Sequence, residues 1–134
     1  MNDIHTREDI ETLVNAFYEK VRVDAVLGPI FDDIMQVNWE THLLKMYDFW
    51  ETTLFHNPRY KGNPVTVHDA VHTKSPLEKR QFDTWIQLFN ATVDENFSGE
   101  MAHHAKVRAL SIATVLQFKI AADPNKGLPI SKRS

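Results

Sequence analysis

"NWETHLLKMYDFWETTLF", residues 38–55, is the stretch that decides the fold. Trp39, His42, Leu43, Met46, Phe49, Trp50 and Leu54 recur at three- and four-residue steps. That spacing gathers them on one broad face of an α-helix starting near Asn38, whereas the two-residue period of a strand would scatter them over both faces. His42 therefore points inward among aromatics and a methionine, and a lone inward histidine needs an explanation.

The same period runs outward in both directions. In "TREDIETLVNAFYEKVRVD", residues 6–24, Thr6 is placed to cap a helix with Asp9 three residues on, and Ile10, Leu13, Val14, Phe17 and Val21 form one apolar stripe. Tyr18 falls at the edge of that stripe, so it is expected to be partly buried with a hydroxyl that needs a partner. "AVLGPIFDD", residues 25–33, breaks this helix at Gly28-Pro29 and returns Ile30 and Phe31 to the core. Past the turn cluster "HNPRYKGNP", residues 56–64, Pro64 begins a short helix over roughly 64–72 that carries His68 and His72. "SPLEKRQFDTWIQLFNATVDENF", residues 75–97, opens on Ser75 as cap and Glu78 in an S-x-x-E box; Phe82, Trp85, Leu88, Phe89, Thr92 and Val93 make its inner face. A last helix is predicted from about Met101 to Ala122, with Ala105, Ala109, Ile112, Val115, Leu116 and Phe118 as its apolar positions. The tail from 123 to 134 reads as loop. The expectation is an all-α chain forming one domain over 1–134, its core at about 6–122.

Composition narrows the chemistry. The 134 residues are 43% hydrophobic and 25% charged, enough apolar content for one domain with a buried core. No apolar run approaches the roughly 20 residues of a membrane span, and the charged start "MNDIHTREDIE" is no leader, so a soluble cytoplasmic protein is expected. The formal charge of −3 and the scattered basic residues argue against nucleic-acid or membrane partners. With no cysteine, disulfides, thiolate metal sites, iron–sulfur clusters and covalent haem attachment all fall away. Metal chemistry must then rest on histidine or carboxylate.

Seven histidines are available: His5, His42, His56, His68, His72, His103 and His104. The pair at 103 and 104 reads as solvated helix surface. His68 and His72 stand four apart but lack the H-E-x-x-H glutamate of a zinc hydrolase, and no Glu-x-x-His set offers a di-iron site. One imidazole can instead serve as the proximal ligand of haem iron, which requires an apolar slot and a few polar groups opposite. Phe31, Met46, Phe49, Trp50, Trp85, Phe89 and Leu116 are candidates for the slot; Tyr18, His42 and the Trp85 indole are the polar groups. Any one of them alone reads more readily as an ordinary core residue, and it is their conjunction that shifts the weight toward the haem site.

These residues lie in segments that resemble the truncated haemoglobins of the third group: "FYEKVRVDAVLGPIF" (17–31), "NWETHLLKMYDFW" (38–50), "YKGNPVTVH" (60–68), "FDTWIQLFNATVDENFSG" (82–99) and "AKVRALSIATV" (105–115). The resemblance covers most of residues 10–120. It implies a truncated globin fold, a two-over-two helical sandwich around non-covalent haem b. His68, four residues beyond Pro64 of the Y-x-G-x-P turn, would be the proximal iron ligand; counting back from Trp85 would select His72. Tyr18 would be the distal tyrosine, His42 the histidine at the distal gate and Trp85 the distal indole, with Phe31, Met46, Phe49, Trp50 and Phe89 as apolar contacts.

The function so implied is reversible binding of O2, CO and NO at a five-coordinate iron with a polar distal pocket, within the broader oxygen-binding and oxygen-transport class. NO dioxygenation or peroxidase-like handling of peroxide would draw electrons from an external reductase, since the chain carries no nucleotide or flavin motif. The competing class is a non-haem helical binding or regulatory domain with incidental histidines, which would be colourless.

Overall fold

The computed structural model describes residues 1–31, 38–56 and 78–122, with side chains to 118. Four helices account for most of them: α1 (Arg7–Val23), α2 (Trp39–Phe55), α3 (Lys79–Asn96) and α4 (Glu100–Ala122). Helix α1 packs on α2 and α3, and α4 packs on α3 and α2, so each helix contacts two others. This is the two-over-two helical arrangement expected from the sequence. No strand occurs among the described residues. The short helix predicted over 64–72, with His68 and His72, lies outside them, as does the 123–134 tail.

The start of α1 follows the sequence reading closely. Thr6 Oγ1 accepts from the Asp9 N–H at 3.1 Å, while Asp9 Oδ2 accepts from the Thr6 N–H at 3.1 Å and the His5 N–H at 2.8 Å. This reciprocal box satisfies donors that the helix cannot bond itself. The bond from His5 is the main cause that holds the Asp9 carboxyl below its ordinary range. Ile10, Leu13, Val14, Phe17 and Val21 are buried, as the stripe required. Tyr18 is buried more deeply than an edge position suggests, at 6% exposure, because Phe31 and Trp39 close over it.

Helix α1 stops at Asp24, ahead of the Gly28-Pro29 pair expected to break it. Asp24 is extended, at φ −74° and ψ 136°, and its carboxylate accepts from the Val26 and Leu27 N–H groups, each at 2.9 Å. A short polar side chain that bonds its own following backbone offers the chain an alternative to the helix. Gly28 has a different task. A β-carbon there would lie 2.8 Å from the Arg22 carbonyl oxygen, so the turn can fold tightly against the end of α1 only with glycine.

Helix α2 starts near Asn38 as expected, and the Asn38 side chain caps it, its Oδ1 accepting from the Thr41 N–H at 3.2 Å. The face read from the sequence splits into two halves. Trp50 and Leu54 are buried, whereas Trp39, His42, Leu43, Met46 and Phe49 are only half-buried. Helix α3 begins at Lys79 with Glu78 as its cap, three residues later than the Ser75 start predicted; Ser75 and Pro76 lie outside the described residues. Gln81 supplies the returning bond, its Oε1 accepting from the Glu78 N–H at 2.8 Å. Phe82, Phe89, Thr92 and Val93 of α3 are buried.

Helix α4 packs through small residues. Ala102, Ala105, Ala109 and Ala113 are buried with Leu116, and alanine lets two helices approach closely. Val115 and Phe118 are exposed, because they lie on the far side of α4 from that alanine row.

The cap of α4 comes from the other end of the chain. Asp3 accepts from Met101 N–H at 2.9 Å and Ala102 N–H at 2.8 Å, and Ser98 N–H donates to the Asn2 carbonyl at 3.0 Å. Gly99, at φ +139°, makes room for this contact, since a β-carbon on it would fall 2.5 Å from the Asp3 carboxylate. Burial acts to raise the Asp3 pKa, but N–H donors from Met101, Ile4 and Ala102 outweigh it and hold the carboxyl below its ordinary range. A carboxylate depressed in the folded state stabilises at pH values above its unfolded pKa, and that contribution is lost as pH falls through the lower folded value. Asp3→Ala is expected to cost about 1–2 kcal/mol at neutral pH, with the difference from the parent shrinking below about pH 4. Urea unfolding at pH 7 and pH 3 checks both statements, and equal midpoints at pH 7 would remove Asp3 as a cap.

Candidate functional site

Two aromatic groups meet where α1 crosses α2 and α3. In the first, Tyr18 touches Phe31, Trp39 and His42 with ring centroids 5.8, 5.6 and 5.1 Å apart, each edge to face. Phe31 and Trp39 also reach His42, at 5.7 and 5.8 Å. In the second, Phe89 is stacked between Trp50 at 4.9 Å and Trp85 at 5.6 Å, and Phe17 meets Phe89 and Trp85 edge-on. Offset and edge-to-face contacts of this kind place the positive ring edges on negative faces.

Phe17 joins the groups, touching Tyr18 at 4.9 Å and Trp85 at 5.7 Å. Consecutive residues on α1 thus reach the two groups, Phe17 toward α3 and Tyr18 toward α2. The predicted polar set is arranged accordingly: Tyr18 and His42 are in ring contact, and Trp85 is linked to them through Phe17.

The predicted apolar residues separate by burial. Trp50, at 3% exposure, and Phe89, at 0%, are enclosed and stacked on each other, while Phe31, Met46, Phe49 and Trp85 remain half-buried around them. Leu116 is buried in a smaller cluster with Phe82 and Ala113. His68 and His72 fall outside the described residues.

A flat apolar group with a polar ligand side fits this surface. The N-terminal half of α2, with Phe31 and Trp85, presents large apolar side chains that the described residues cover only in part, and Tyr18, His42 and the Trp85 indole bring hydrogen-bonding atoms to the same region. Among the described residues no group of three or more His, Asp or Glu is placed to hold a metal by itself.

Sequence reading counted Trp39 on the helical face but assigned it no role, and passed over Arg22. Trp39 stands one turn before His42 on α2 and touches all three other members of its group. The Arg22 guanidinium lies 4.7 Å from the Trp39 ring centroid. The helical offset of three from His42 marks Trp39 in the sequence; nothing local marks Arg22, since its partner is on another helix.

Comparison with known proteins accords with this arrangement. The family model described as "Bacterial-like globin" matches residues 2–120. The chain is 32% identical over 114 residues to the group 3 truncated haemoglobin ctb of Campylobacter jejuni, a match covering 83% of this chain and 87% of that protein. It also superposes on a crystal structure of a group III truncated haemoglobin from Campylobacter jejuni with a TM-score of 0.79 at 28% identity, covering 99% of this chain and 100% of the other. The helical pairing, the aromatic site and these matches together show that the chain belongs to the bacterial-like globin family, among its group 3 truncated haemoglobins.

Proposed function

We propose that this protein holds haem b non-covalently and binds O2, CO and NO at a five-coordinate iron. Membership of the globin family implies haem and a diatomic gas. The observation that carries the finer reading is the contact of Tyr18 with His42 beside an apolar face that the described residues leave half-covered.

When bound, haem would supply an iron able to take up the gas. The residue proposed to hold that iron is His68, with His72 as the alternative. Phe31, Met46, Phe49, Trp50 and Phe89 exclude water and shape the apolar wall. The Tyr18 hydroxyl and the Trp85 indole N–H are the donors proposed for the ligand side. His42, half-buried between Tyr18 and Trp39, serves as gate or as a proton source for peroxide chemistry. A polar site of this kind suits capture or turnover of O2, NO and reactive species better than bulk delivery, and turnover calls on an external reductase.

The experiment is an absorption spectrum of the purified protein, oxidised, reduced and under CO. A strong Soret band that shifts on CO is the expected result, and a colourless protein that takes up no added haemin would overturn the proposal. Within the haem-loaded protein, Tyr18→Phe and Trp85→Phe are each expected to speed O2 release about fivefold, the loss of one hydrogen bond worth roughly 1 kcal/mol in a dry pocket. Stopped-flow O2 dissociation measures this directly, and rates unchanged in both variants would take the two residues out of the ligand site.

A further inference from the structure

The aromatic group around His42 meets α1 through the Tyr18 ring and, at Trp39, through a cation. Arg22, in the last turn of α1, sets its guanidinium 4.7 Å from the Trp39 ring centroid, and the Trp39 ring meets the His42 ring at 5.8 Å and 89°. Trp39 is the first residue of α2 and His42 lies in the same opening turn. The first turn of a helix has the fewest internal hydrogen bonds and is where helices fray. The Asn38 cap holds its backbone, while Arg22 holds the largest side chain on it. Arg22 is itself well placed, because a cation at the C-terminal end of α1 is favoured by the helix dipole.

We infer that Arg22 is a positioning residue: by clamping Trp39 against the end of α1 it keeps His42 seated on Tyr18 and so restricts entry of gaseous ligands on that side of the site. The inference rests on the proposed haem-binding function. Trp39 cannot swing outward without leaving the guanidinium, and His42 cannot move toward Trp39 while the indole is held edge-on beside it. Arg22 touches no reacting atom in this account, so its effect falls on access and not on the chemistry of the bound gas. A partly exposed cation–π contact is worth about 0.5–1 kcal/mol, which corresponds to a change of about two- to fivefold in how often the clamp is open.

The test is CO association to the haem-loaded, reduced protein after flash photolysis. Arg22→Gln, which keeps a polar side chain of moderate length but no charge, is expected to raise the association rate about two- to fivefold, and Arg22→Lys, which keeps the cation, to restore most of the parent rate. Combining Arg22→Gln with Trp39→Leu separates a clamp from a general loosening: once the aromatic face is gone, the charge at residue 22 should no longer matter. Arg22→Gln at the parent rate, Lys no better than Gln, or an Arg22 effect that persists on the Trp39→Leu background would each overturn the clamp while leaving haem binding intact. A protein with no Soret band in any variant overturns the haem reading and the clamp with it.

Discussion

His68→Ala is expected to yield a folded chain that no longer retains haem, whereas His72→Ala keeps its Soret band and its shift under CO. The expectation stands on the sequence, because both histidines lie outside the described residues. In the sequence, Gly62-Asn63-Pro64 is a turn signal, and Pro64 with its fixed φ is suited to a first helical position. On that sequence reading His68 would fall one helical turn beyond it and His72 two. With no cysteine in the chain, losing the imidazole proposed as iron ligand would leave mainly apolar contact to retain the haem. Haem transfer to an apoprotein acceptor, timed by loss of the Soret band, measures retention in both variants. Retention by His68→Ala together with loss in His72→Ala would move the iron ligand four residues along.

The second large effect lies away from the site. Arg7 Nη1 bonds Glu51 Oε1 at 2.6 Å and Asp48 Oδ1 at 2.9 Å, and Arg7 Nε bonds Glu11 at 3.3 Å. Burial works against the Arg7 charge, but its bonds to Glu51, Asp48 and Glu11 more than offset this and raise its pKa above the ordinary arginine value. Glu51 is the partner that matters, since its side chain is 6% exposed, whereas Asp48 and Glu11 are 37% and 42% exposed. Removing the cation from a buried carboxylate costs about 3 kcal/mol. Arg7→Met, which keeps much of the aliphatic stem, is therefore expected to lower the melting temperature by on the order of 10 °C. Adding Glu51→Leu to Arg7→Met should recover much of that loss, because a buried ion pair replaced by apolar side chains is often close to neutral. If Arg7→Met melts with the parent, the pair contributes nothing to stability.

Much of this molecule is local in origin. The box of Thr6 with Asp9, the start of α2 near Asn38, the buried stripe of α1 and the inward turn of His42 were legible in the sequence, because each depends on residues within about one helical turn. So were the apolar faces on which Tyr18, His42 and Trp85 stand, which the helical period marks. The start of α3 was misread because two overlapping box patterns occur three residues apart, Ser75 with Glu78 and Glu78 with Gln81, and the described helix uses the later one.

The sequence by itself determined that the chain is helical, where most of its helices run and which side chains face inward, since periodicity and capping act over three or four residues. The tertiary structure alone decided which inward residues meet. Asp3 caps a helix that begins 97 residues later, Arg7 reaches Glu51, Phe17 joins the tyrosine of one cluster to the tryptophan of the other, and Arg22 covers Trp39. Such pairings depend on how helices cross and how closely they approach, which here turns on an alanine row in α4 and a glycine at each of two close approaches, Gly28 to the Arg22 carbonyl and Gly99 to the Asp3 side chain. A linear pattern carries the face of a helix; its partner is selected only when the faces pack.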